Sequence, residues 1–107
     1  MGKSYMSYTM ALILHAVERG YSHGFDVMTI TGLASGTVYP ALRRLEDAGF
    51  LNSKWEQPGI AQALQRPARK YYEITKPGRT ALTQARERFR LSQLEPLVAD
   101  QPVHQKG

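Results

Sequence analysis

Apolar positions recur at three- and four-residue spacing in three stretches of the first half of the chain, each closed by a glycine. Over residues 5–19, Tyr8, Leu12 and Ala16, with Ala11, Leu14 and Val17 beside them, predict a largely buried helix that Gly20 ends. Ser22 is placed as the cap of a second helix over residues 23–31, where Phe25, Val27, Met28 and Ile30 supply apolar contacts. Gly32 breaks that pattern, and Ser35 is the expected cap of a third helix reaching Ala48 before Gly49. At about 100° per residue, Val38, Ala41, Leu42, Leu45 and Ala48 share one side of it. Two short helices joined by a tight glycine-containing turn make a helix-turn-helix.

The period then changes. Residues 50–56 have apolar ends and a polar middle, and residues 69–74, Arg69-Lys70-Tyr71-Tyr72-Glu73-Ile74, match them as a second strand. Between them, residues 57–68 carry Pro58, Gly59 and Pro67 with little periodicity and read as a long loop. Thr75 is placed as a cap with Pro77 in the first turn of a final helix that Pro96 stops. At about 1.5 Å per residue, its roughly 19 residues would span about 28 Å. The fold class expected is mainly α with a small β-hairpin: a winged helix-turn-helix plus a long C-terminal dimerisation helix. Residues 1–75 form the first unit, residues 76–98 the helix and residues 99–107 a flexible tail.

The outward side of the third helix is unlike an ordinary solvated face. It shows Gly36, Pro40, Arg43 and Asp47, flanked by Thr37, Tyr39 and Arg44. Ser35 and Thr37 hydroxyls, with free N–H groups at a helix start, suit a phosphate. Tyr39 can reach a phosphate oxygen or lay its ring on a sugar. Arg43 and Arg44 can neutralise phosphates, and Arg43 can pair bidentately with guanine. Pro40 removes a helix hydrogen bond and crowds the carbonyl of Gly36, the residue that adapts most easily. A local rule broken on an outward face points to function.

Charge strengthens this reading. The chain of 107 residues carries a net charge of +5. Within residues 43–90 there are 11 Lys and Arg against 5 Asp and Glu, so the excess is concentrated there. Such localised basicity favours an anionic partner, nucleic acid ahead of a membrane surface. Arg66, Arg69 and Lys70 flank the hairpin tip, where they either reach DNA beside the third helix or simply solubilise a strand edge.

The stretch Ser35-Gly36-Thr37-Val38-Tyr39-Pro40-Ala41-Leu42-Arg43-Arg44-Leu45-Glu46 closely resembles the PadR family of winged-helix transcriptional regulators. So do Gly49-Phe50-Leu51, Arg69-Lys70-Tyr71-Tyr72-Glu73-Ile74-Thr75-Lys76-Pro77-Gly78 and Gly20-Tyr21-Ser22-His23-Gly24. The resemblance covers about residues 5–95. It implies a homodimeric repressor of the short, single C-terminal helix subtype on a near-palindromic operator, relieved by a small-molecule effector or a partner. Two stretches depart from the pattern: the tip from Ile60 to Gln65 is poor in glycine, and Phe25-Asp26-Val27 stands where the family continues with a glutamate and an aliphatic residue.

On the final helix Leu82, Ala85, Phe89 and Leu94 form an apolar stripe. A helix of that length overhangs a small winged domain, so the stripe is expected to pair with a second chain. Phe89 is assigned to that dimer core ahead of a role lining an effector pocket. Trp55 is expected to pack under the hairpin. His15, His23 and His104 are scattered and there is no cysteine, so no metal site and no cofactor is expected. No nucleophile-base arrangement, phosphate loop or carboxylate pair is present, which argues against an enzyme. No apolar run is long enough for a membrane span, and a cytoplasmic protein is expected. Two functions from different classes follow: a DNA-binding regulator, or a winged-helix protein–protein module whose basic face docks on an acidic partner.

Overall fold

A computed structural model describes residues 6–89. The first helix, α1 (Tyr8–Glu18), starts where the Ser7 side chain accepts the Met10 N–H at 3.0 Å, three residues later than the apolar pattern alone suggests. It is buried on most sides, with Ala11, Ile13, Leu14, Ala16 and Val17 in the core. Tyr8 is instead exposed, and Leu12 is half-buried.

Helix α2 (Gly24–Thr31) follows a cap at His23, not Ser22. Ser22 is kept extended by the sheet, because its carbonyl accepts the Tyr72 N–H at 2.7 Å. Gly32 ends α2 in the left-handed region at φ 75°, which a side chain would strain. The Thr31 hydroxyl donates to the Val27 carbonyl at 2.6 Å and accepts the Leu33 N–H at 3.2 Å, shaping the turn. Helix α3 (Ser35–Asp47) is capped by the backbone of Ala34. Ser35 is therefore its first residue and not its cap.

The hairpin pairs β1 (Leu51–Trp55) with β2 (Lys70–Ile74) antiparallel, from Leu51 opposite Ile74 to Trp55 opposite Lys70. A bridge from His23 to Tyr71 adds the turn before α2 to its edge. The connection is not a plain loop. Pro58 opens a short helix, α4 (Pro58–Ala63), with Ala61 turned inward. Proline at a first helical position is pre-set for the helix, which explains why a residue that reads as a breaker starts one here.

Helix α5 is described from Lys76 to Phe89 (Lys76–Phe89). Its start is the expected one: Thr75 Oγ1 accepts the Gly78 N–H at 3.0 Å and donates to the Gly49 carbonyl at 2.7 Å. Gly78 lets this helix approach the hairpin, since a Cβ there would lie 2.2 Å from the Phe50 carbonyl oxygen. Leu82 and Ala85 join the core formed by α1, α3 and β1 and are covered within the chain itself. They are thus unavailable to a second chain, against the dimerisation role the stripe suggested. Phe89 is half-buried, its ring edge-on to Tyr8 at 5.5 Å. Leu94, the helix end at Pro96 and the tail lie outside the described residues.

Candidate nucleic-acid interface

The face of α3 is set by what its other face must bury. Val38, Ala41, Leu42 and Leu45 pack against α1 and α2. At helical spacing this turns Ser35, Gly36, Thr37, Tyr39, Pro40, Arg43 and Arg44 outward, and all seven are exposed. The start of α3 has no side-chain cap. The Ala34 carbonyl takes the Thr37 and Val38 N–H groups at 2.9 Å each, and the N–H groups ahead of them form the positive end of the helix dipole. Cationic side chains, hydroxyls and unopposed N–H groups on one exposed face suit phosphates and base edges.

Tyr39 is 48% exposed, yet it has a seat. Its ring lies over Gly24, where an added Cβ would stand 2.2 Å from the ring. Burial pushes the phenol of nearby Tyr72 above its ordinary value, with Glu46 adding to the rise and Arg43 opposing it. Tyr72 therefore stays neutral beneath a cationic surface.

Glu46 joins α3 to the hairpin. Its carboxylate accepts the Ser53 hydroxyl at 2.5 Å and lies 3.6 Å from the Lys70 ammonium. Lys70 in turn stands 5.8 Å from the ring centres of both Trp55 and Tyr72. Charge on the hairpin is thus held close to α3.

Arg66 is paired within the wing. Its guanidinium donates twice to the Glu56 carboxylate, at 2.8 Å each. Glu56 also accepts the Arg69 N–H at 3.2 Å, while its own N–H donates to the Arg69 carbonyl at 2.7 Å. The hydrogen bonds from Arg66 hold the Glu56 carboxyl below its ordinary range. Arg66 is a clasp across the wing, and Arg69 follows it toward the hairpin.

Three residues of this region escape a reading of the chain. Glu56 gains its meaning only when the hairpin closes and brings it to Arg66. Phe25 and Trp55, expected to pack inward, are each 63% exposed. Trp55 shares the face of β1 that carries buried Leu51, but it stands four residues along, at the wing end of the strand, where the core no longer covers it. His23 sits beside them, its ring edge-on to Tyr71 at 5.5 Å and its Nδ1 3.2 Å from Asp26. Burial lowers its pKa, with Asp26 opposing.

Comparison with known proteins gives the family and agrees with the fold. The model of the transcriptional regulator PadR-like family matches residues 13–84. Among solved structures, smu.1704 from Streptococcus mutans UA159 is 25% identical at a TM-score of 0.66, over 92% of this chain and 94% of that one. A PadR family transcriptional regulator from Eggerthella lenta DSM 2243 is 25% identical at a TM-score of 0.60, over 78% and 73% of the two chains. A PadR family transcription regulator from Clostridium difficile R20291 shares the fold at 23% identity and a TM-score of 0.63, over 84% and 95%. No curated protein matches the chain. No helix among the described residues is long and apolar enough to cross a membrane.

Proposed function

Because the chain belongs to the PadR-like family of transcriptional regulators, a DNA-binding and non-enzymatic family, we propose that it is a homodimeric repressor acting on a near-palindromic operator. The observation that carries the reading is the exposed set on α3. In a helix-turn-helix the second helix enters the major groove with its N-terminal residues on base edges. Ser35, Gly36 and Thr37 would then hold a phosphate at the helix start, and Tyr39 and Pro40 would lie along the backbone. Arg43 would read a base, with Arg44 on a phosphate. Arg69 and Lys70 would extend the contact from the wing, with Arg66 acting through the wing's shape. Such a protein works where the chromosome is, in the cytoplasm.

A dimer would place two α3 helices on half-sites about 34–36 Å apart, one turn of duplex. With Leu82 and Ala85 engaged in the chain's own core, the proposed contact centres on Phe89 and Tyr8 and runs on through Leu94. The resemblance extends the proposal to relief of repression by a small-molecule effector.

A gel shift with the DNA upstream of the protein's own gene, repeated across salt, tests the reading. Affinity should fall steeply with salt as phosphate-bound counterions are released. Arg43→Ala or Tyr39→Ala should abolish operator binding with the dimer intact on size exclusion. Unchanged binding in both variants would overturn the role of α3. Binding to an acidic protein in place of duplex DNA would favour a protein–protein module instead.

A further inference from the structure

Beside the α3 face lies a cleft of about 330 Å³ between the start of α2, α3 and the hairpin. Its walls are the exposed rings of Phe25, Tyr39 and Trp55, its floor is the buried Tyr72, and Arg69 and Lys70 line its hairpin side. None of the residues lining it is acidic. Exposed aromatic rings grouped together are costly in water and mark surfaces that become covered. Here they stand beside two cations, a combination that matches one kind of occupant. A nucleic-acid strand presents apolar sugar rings and anionic phosphates in turn.

Resting on the proposed role of α3, we propose that this cleft receives the sugar–phosphate backbone of the operator strand leaving α3, with Trp55 as a DNA-contacting residue. Two features favour DNA over another occupant. The first is continuity: Tyr39 belongs both to the α3 face and to the cleft wall, so a strand contacting one runs over the other. The second is charge: Lys70, opposite Trp55 in the hairpin register, holds its ammonium 5.8 Å from the indole centre. A phosphate at Lys70 therefore brings its sugar against the indole. Gly24 keeps the cleft open by giving the Tyr39 ring a place to lie; a side chain there would push the ring outward. Contacts of this kind bear on affinity and carry no base information.

Trp55 is the chain's single tryptophan, so its fluorescence reports on this cleft alone. Titration with operator duplex should quench or shift the emission, saturating at the stoichiometry seen by gel shift. Trp55→Ala should weaken binding about tenfold to operator and unrelated duplex alike. Trp55→Phe should recover most of it, and thermal unfolding should be unchanged in both because the ring is largely exposed. Gly24→Ala should weaken binding in the same sequence-independent way. Duplex binding with unaltered emission, or Trp55→Ala affinity within about twofold of the parent, overturns the inference and leaves the role of α3 standing. Failure to bind any duplex removes both.

Discussion

Glu56 shows how one side chain can organise a recognition element without touching the partner. It accepts both arms of Arg66, receives the Arg69 N–H and returns its own N–H to the Arg69 carbonyl. The hydrogen bonds from Arg66 favour the charged carboxylate, so its folded pKa lies below the ordinary 4.5. With a depressed folded pKa, its contribution is fully present above the unfolded value and is lost as pH falls through the folded one. Glu56→Gln should therefore flatten this part of the acid limb of the stability curve. It should also speed hydrogen exchange at the Arg69 N–H. An acid limb identical to the parent's would show that the clasp does not hold the wing. The pairing is invisible along the chain because the residues between them, 57–65 with α4 among them, must first fold back.

Helix α3 combines a strongly apolar back with a front that works against the helix. Pro40 deletes the hydrogen bond to the Gly36 carbonyl, and Gly36 itself is a poor helix former. Gly36 has open space around it, so no packing requirement explains the glycine there. These residues reduce helix stability on the side that faces outward. Pro40→Ala should stabilise the folded protein by about 1–3 kcal/mol, measured as a higher thermal midpoint, with weaker operator binding. A fall in the midpoint would mean that the fold requires the proline. The buried half of this helix was legible from spacing alone. Its cap was not: Ser35 and Ala34 are both small, and only the path of the turn after Gly32 makes Ala34 the cap.

At the scale of the whole molecule, α5 has two roles along its length. Its first turns are part of the core, through Leu82 and Ala85 packed near α1, and Arg86 adds a bond to Glu18 at 2.9 Å. Near Phe89 its apolar surface is less covered, beside Tyr8. Leu82→Ala should cost about 2–5 kcal/mol, lowering the unfolding midpoint at every protein concentration. Phe89→Ala should instead shift the monomer–dimer equilibrium, seen as a midpoint that falls on dilution. Loss of dimer in Leu82→Ala without loss of fold stability would reverse the assignment. A stripe at helical spacing looks the same whether it meets its own chain or another, which is why Leu82 and Ala85 read as interface.

The chain by itself determined the order of the elements apart from α4, the buried side of α3 and the residues opposite it. Those follow from local periodicity, glycine punctuation and proline geometry, which act over a few neighbouring residues. Tertiary structure decided where long-range pairings fall. The β1–β2 register set Trp55 opposite Lys70 at the wing end of the hairpin, beyond the cover of the core, closure of the wing joined Glu56 to Arg66, and the docking of α5 absorbed Leu82 and Ala85 into the core. Each of these depends on which surfaces meet after distant segments converge, a geometry that spacing along the chain does not encode.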